Sequence, residues 1–197
     1  SAFGFYPNKQ ITTGEGGMIV TDDESIAKLC RSMRNQGRGE DMSWLNHERL
    51  GYNYRLDEMS AALGLSQFEK IDRILFERKR IAEQYIKRLR EIDEVIIPKV
   101  QTNVQMSWFV FVIRLKEPIL RDKVMNNLRE KGVASKPYFS PIHLQPFYRN
   151  HFSYKVGDFP VTEKVARQCL ALPFFNSLKE EEMSYVLNSL KQSIYQQ

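Results

Sequence analysis

Lys9 stands in the run Phe5-Tyr6-Pro7-Asn8-Lys9-Gln10-Ile11-Thr12-Thr13, a mostly uncharged, partly aromatic setting directly ahead of Gly14-Glu15-Gly16-Gly17. Apolar surroundings disfavour an ammonium ion and free the amine for Schiff-base or general-base chemistry. A surface lysine in a turn before a strand fits the same letters. Three glycines in four positions permit positive φ and close backbone approach, which suits a phosphate and equally suits a tight β-turn. Their spacing is that of neither a Rossmann loop nor a P-loop. His47 and His151 fall in no motif, and no cysteine or carboxylate pair has ligand spacing, so no metal site is expected.

The elements that would hold such a lysine alternate between α and β. Met18 to Thr21 reads as a short strand after the glycines, and Asp22-Asp23 opens a helix with a buried stripe of Ile26, Leu29, Cys30 and Met33, ending near Gly37. Residues 37 to 50, with two glycines, Trp44 and His47, have the composition of a mobile loop. From an N-cap at Asp57, apolar residues recur in steps of three or four from Met59 to Ile92, which predicts one helix of about 35 residues bridging two lobes. Pro98 and the polar run that follows mark a boundary, with a second lobe beginning near residue 95. In that lobe Ser107–Leu115 reads as a buried strand and Ile119–Lys131 as a helix stopped by Gly132. Val133–Pro146 is a strand entering a proline-rich loop, and Pro160 starts a short helix running into a strand at Leu170–Pro173. Ser177 and Glu180 form a capping box for a last helix.

With 197 residues, 42% hydrophobic and 27% charged, the chain can enclose a core, and disordered or collagen-like readings are excluded. No apolar run approaches the roughly 20 residues that span a bilayer, and the first residues lack a secretory pattern, so a cytoplasmic protein without membrane contact is expected. Cys30 and Cys169, 139 residues apart, are expected as two buried thiols without a disulfide. The net charge of +5 is concentrated at Arg78-Lys79-Arg80 and Lys87–Arg90. Glu77, Glu83 and Glu91 interleave these runs, so they read as a solvated helix face and not as a nucleic-acid footprint.

Three blocks carry a resemblance that covers essentially the whole chain: FYPNKQITTGEGGMIVTDD from Phe5, LGYNYRLDEMSAALGLSQ from Leu50 and PIHLQPFY from Pro141. Together they resemble the DegT/DnrJ/EryC1/StrS family of pyridoxal-phosphate-dependent sugar aminotransferases. The resemblance implies an α/β chain of aspartate aminotransferase fold type I. Residues 1–56 would be a remnant of the cofactor-binding large domain, 57–94 a long interdomain helix and 95–197 a complete C-terminal small domain. Lys9 then matches the lysine that holds pyridoxal 5′-phosphate covalently and later shuttles a proton. Asn53 matches an asparagine that reaches across a homodimer to the partner's cofactor phosphate. Arg55 is a candidate for anionic groups, since a guanidinium fork suits phosphate, or else an ion-pair residue at an interface or helix end. Tyr138 and His143 match the part of the second lobe that lines the nucleotide-sugar side, although a histidine between Ile142 and Leu144 also suits a purely structural role. Glutamate is the implied amino donor.

The chain departs from that family at two points. Gly4 stands where many relatives carry a serine whose hydroxyl binds the cofactor phosphate, so a backbone N–H replaces a side-chain donor. The family's N-terminal half, source of the aspartate that pairs with the pyridinium nitrogen, has no counterpart here, and without it the ring is a poor electron sink. The expectation is therefore a fragment whose first 50 residues are rearranged, swapped or packed against a second copy. A non-catalytic substrate-binding or dimerisation module is the alternative reading. Retention of Lys9 argues against the branch of the family that carries histidine there and runs dehydration.

Overall fold

The computed structural model describes residues 1–39, 41 and 46–196. Trp44, counted above in a mobile loop, lies outside the described residues. The chain divides into two compact units, Ser1–Arg73 and Ile74–Gln197.

In the first unit β1 (Ala2–Gly4) pairs antiparallel with β2 (Gly17–Ile19), Gly4 facing Gly17, and the twelve residues between them form the loop that carries Lys9. Helix α1 (Glu24–Arg34) starts where its sequence says it should, with Asp23 accepting hydrogen bonds from the N–H groups of Ser25 (2.8 Å) and Ile26 (3.1 Å). Its expected buried stripe is not buried: Ile26 and Leu29 are each 46% exposed, and Cys30 and Met33 are half-buried. The periodicity was satisfied on α1 itself, but nothing in the described unit covers that face. Cys30 is thus not the buried thiol expected of it; Cys169 is, and both are free.

The segment after α1 is laced to the helix end. The N–H groups of Tyr52 and Tyr54 donate to the carbonyls of Met33 and Arg34 (2.6 and 2.8 Å), and that of Gln36 donates to Tyr52 (2.8 Å). Gly37 (φ +73°) and Gly51 meet so closely that a Cβ on either would overlap the other strand of the loop base, which is why both are glycine.

Residues 57–94 do not form one helix. Asp57 caps α2 (Glu58–Phe68) by accepting from Ser60 N–H (2.9 Å), as expected, and α3 (Ile71–Leu89) follows after a turn at Glu69 and Lys70. At that turn the hydrogen bonding tightens, Lys70 N–H donating to Gln67, three residues back. Apolar spacing reports which face is apolar and is blind to such a single-turn interruption.

The second unit holds the core. β3 (Val95–Ile96), β4 (Phe111–Leu115), β5 (Lys136–Pro137) and β6 (Cys169–Leu172) form one antiparallel sheet in the order β3-β4-β6-β5. α3, α4 (Arg121–Glu130) and α7 (Glu180–Tyr195) add Ile81, Tyr85, Leu89, Val124, Leu128 and Leu190 to a cluster with Phe111, Ile113 and Leu170. Tyr85, fully buried, stacks on Phe111 (4.8 Å) and donates its hydroxyl to Pro173 (2.8 Å). Helix α7 starts two residues later than the Ser177 box predicts: Glu182 accepts from Lys179 N–H (2.8 Å) and supplies the cap.

Arg78 also departs from expectation. It is 9% exposed, not part of a solvated face, and donates through Nη1 to the carbonyls of Trp108 (3.0 Å) and Phe109 (3.3 Å) while lying over Phe174 (5.6 Å). Burial pushes its guanidinium below the usual value. Its neighbours Lys79 and Arg80 pair with Glu83 and Glu77 on the outside.

Candidate active site

The Lys9 loop is ordered by its own backbone and threonines. Lys9 N–H donates to Tyr6 (2.9 Å), Phe5 and Gly16 are bridged by Phe5 N–H (2.9 Å), and Phe5 O accepts from both Thr13 N–H (3.0 Å) and the Thr12 hydroxyl (3.0 Å). Thr13, buried, donates its hydroxyl to Glu15 (2.6 Å). Gly14 (φ +83°) and Gly16 (φ +144°) supply backbone conformations that an L side chain rarely takes. The glycines thus serve the bend that leads into β2, while Lys9, half-buried, lies in the earlier turn that its N–H closes onto Tyr6. From α2, Gly64 comes so near that a Cβ there would lie 2.9 Å from Thr13 Cγ2.

Gly4 lies on β1, with open space around the direction its side chain would take. A primary amine on an ordered loop and an uncrowded glycine five residues before it fit a cofactor that has an aldehyde and a phosphate. Lys9 is the group that would hold the aldehyde, and Gly4 would offer the phosphate a backbone donor with nothing within 4 Å of where a Cβ would stand.

Asn53 and Arg55 sit on the exposed segment laced to α1, Asn53 in a bridge with Asn35. Arg55 Nη1 donates to Asn35 Oδ1 (2.6 Å) and lines a concavity of about 1460 Å³ with Lys28, Arg31, Arg34 and Arg49. Glu24, Asp41, Glu48 and Glu58 also border it, so the surface mixes signs with cations in slight excess. Arg31 pairs with Glu24 (3.8 Å) and Arg49 with Glu48 (3.3 Å), so part of that charge is already matched within the concavity.

In the second unit Tyr138 stacks on Phe139 (4.0 Å) and meets Phe109 obliquely (6.4 Å); burial pushes its phenol up. His143, on the 3₁₀ turn Ile142–Leu144, is 8% exposed, and its Nε2 lies 3.1 Å from Glu163 Oε1. Its ring packs on Phe159 (4.7 Å) and edge-on to Tyr154 (6.2 Å). Gly4 and Lys9 are therefore brought onto one hairpin, Asn53 and Arg55 onto one strap, and Tyr138 and His143 into one segment of the second unit. Glu163 was not among the sequence candidates. A glutamate in the first turn after Pro160 reads as an ordinary helix-dipole residue, and nothing in its spacing points back twenty residues to His143.

His47 Nδ1 donates to the carbonyl of Gln36 (2.9 Å), and His151 Nδ1 to that of Phe147 (3.0 Å). Among the described residues no group of three or more His, Cys, Asp or Glu stands together as metal ligands, and no helix is long and apolar enough to cross a membrane.

The model of the DegT/DnrJ/EryC1/StrS aminotransferase family matches residues 1–191. The chain is 36% identical to a pleiotropic regulatory protein of Geobacillus stearothermophilus, over 96% of this chain and 50% of that protein. It is 32% identical to a GDP-perosamine synthase of Escherichia coli O157:H7, over 98% of this chain and 51% of that protein. A crystal structure of a DegT DnrJ EryC1 StrS aminotransferase from Brucella abortus superposes with a TM-score of 0.86 at 30% identity, covering 98% of this chain and 50% of that one. The chain spans about half the length of the curated relatives it matches.

Proposed function

The chain belongs to the DegT/DnrJ/EryC1/StrS aminotransferase family, and on that premise we propose that it is the cofactor-lysine and substrate-side part of an enzyme that transfers an amino group to a nucleotide-linked keto sugar. The observation that carries this reading is Lys9, half-buried in a hydrogen-bonded loop between β1 and β2 within the matched residues. Residues 1–56 belong on this reading to the cofactor-binding large domain, 57–94 to the link and 95–197 to the small domain of a cytoplasmic homodimer. Glutamate is the amino donor.

Pyridoxal 5′-phosphate, when bound, supplies the electron sink for charge developing at the amino-bearing carbon. Lys9 anchors the cofactor through its amine. Once an amino substrate has taken its place, the freed amine moves the proton from the substrate carbon, general base first and general acid afterwards. Gly4 offers the phosphate a backbone donor in place of the hydroxyl found in relatives. Asn53 reaches toward the phosphate of the partner subunit, and Arg55 holds an anionic group of the substrate by its fork. Tyr138 and His143 belong to the nucleotide-sugar side.

A second reading, a non-catalytic binding or dimerisation module, is favoured by one observation: every buried hydrophobic side chain among the described residues is at Ile74 or beyond, so the unit holding Lys9 has no apolar core of its own. One experiment separates the two. Pyridoxal phosphate is added, the visible absorbance is followed, the adduct is fixed with borohydride and mapped, with Lys9→Ala as control. A saturable adduct at Lys9 that the variant loses is the expected result. Scattered or absent labelling would overturn the catalytic reading for this chain and leave the module.

A further inference from the structure

Glu163 is the most heavily engaged carboxylate among the described residues of the second unit, and the function proposed above gives it no task. It sits in the first turn of α6 (Pro160–Gln168) and is 5% exposed. One oxygen, Oε1, accepts from Gly157 N–H (2.8 Å), from Phe159 N–H (3.4 Å) and from His143 Nε2 (3.1 Å). Two backbone donors come from the approach to α6, and the third comes from a turn twenty residues earlier. We propose that Glu163 is a positioning residue that fixes the Tyr138–His143 segment in the shape by which the enzyme reads its sugar nucleotide; this rests on the function proposed above.

The Gly157 N–H bond foremost, then those from His143 and Phe159, hold the Glu163 carboxyl below its usual range, so it is ionised at neutral pH and His143 Nε2 must carry the proton it donates. That fixes both the tautomer and the ring orientation of His143. Gly157 has φ +99° with open space where a Cβ would stand, so the glycine answers to backbone conformation and not to crowding: it lets the chain turn its N–H toward Glu163.

Apart from ring contacts, the backbone of the segment being fixed is tied mainly within itself. Pro141 removes one backbone donor within it, and the 3₁₀ turn keeps Leu144 N–H to Pro141 (3.1 Å) and Gln145 N–H to Ile142 (3.0 Å), both within the turn. Tyr138 is steadied at one end by Phe109, and His143 at the other by its hydrogen bond to Glu163 beside the Phe159 and Tyr154 rings, while Phe139 and Ile142 between them are about two-thirds exposed. Loss of the Glu163 anchor frees the end that carries His143. Tyr138 is then presented in several orientations instead of one, and recognition of a large substrate suffers more than the chemistry at Lys9.

The test uses the full-length enzyme loaded with cofactor. Glu163→Ala is expected to raise amide hydrogen exchange across residues 138–145. It should also raise KM at least tenfold for the keto sugar that wild type turns over best from a panel linked to GDP, UDP and dTDP. The half-reaction with glutamate, followed by absorbance, should stay within twofold of wild type. Glu163→Gln keeps an acceptor for the Gly157 and Phe159 N–H groups and should recover most of the KM. If Glu163→Ala does not fold, Gly157→Ala, which strains only the loop backbone, should show the same split at smaller size. Equal losses in both half-reactions, or an unchanged sugar KM, overturn the proposal. Failure of the wild-type enzyme to react with glutamate overturns the functional reading instead, and unchanged exchange at 138–145 then still refutes the anchor.

Discussion

Glu163 shares one oxygen among three donors, and such a carboxylate ties folding stability to pH. Its folded pKa lies below the ordinary value of 4.5, so its contribution is complete above that value and is lost as pH falls through the lower, folded one. The difference in Tm between wild type and Glu163→Gln is therefore expected to shrink as pH falls below 4.5; a gap that goes on growing below that pH would contradict the assignment. At Gly4 the open space predicts that Gly4→Ser is tolerated and, by restoring a hydroxyl, tightens pyridoxal phosphate binding measured by fluorescence titration. Lys9 stood out in the sequence through its match to the family's lysine, since its uncharged neighbours and the glycines after it fit a surface turn equally well. Glu163 and Arg78 did not, because each acts on residues twenty to thirty positions away, and local pattern carries no record of where a chain returns.

Elements were more legible than their junctions. Asp23 and Asp57 announced α1 and α2 because an N-cap is a local device, whereas the turn at Glu69-Lys70 and the start of α7 are set by which turn of backbone fits its surroundings. Gly64 shows how an element is fitted to the site. An exposed helical glycine replaced by alanine ordinarily gains about 1 kcal/mol. Here the new Cβ would stand 2.9 Å from Thr13 Cγ2, so Gly64→Ala is expected to lower Tm and to loosen residues 5–16 in hydrogen exchange. In the second unit Leu190→Ala, at a fully buried position of α7, should cost about 2–5 kcal/mol in urea unfolding. Leu65→Ala on α2, at 67% exposure, should stay within about 0.5 kcal/mol. A large effect at Leu65 would mean that its face is covered in solution.

At the scale of the molecule the two units differ in kind. Beyond Ile74 the apolar periodicity of α3, α4 and α7 converges on one core, and the sheet order completes it. Before it, Phe3, Met18, Ile19, Ile26 and Leu29 are all about half exposed, although the spacing along α1 is as regular. Periodicity tells which face is meant to be covered and is silent on whether the same chain covers it. Since burial of apolar area is the main stabilising contribution, the first unit is expected to be the weaker. Limited proteolysis in dilute solution, read by peptide mapping, should cut within residues 1–73 well before 74–196; equal resistance would refute the difference.

The sheet order has a consequence for how the chain reaches its fold. β4 and β6 are neighbours, with Phe111 opposite Leu172 and Arg114 opposite Cys169, yet about fifty residues separate them. That intervening stretch contains the Tyr138–His143 turn and Glu163 alike, so the pairing of two central strands ties off a single long loop. Loop-closure entropy rises only with the logarithm of length, and even doubling such a loop costs about 0.6 kcal/mol. The run between α5 (Pro146–Phe152) and α6 also holds Gly157 and Phe159 against Glu163, so an insertion in it is expected to cost the native state those hydrogen bonds as well as the small closure entropy. Pairing β4 with β6 is accordingly a non-local closure, of the kind that slows folding more than it weakens the folded state.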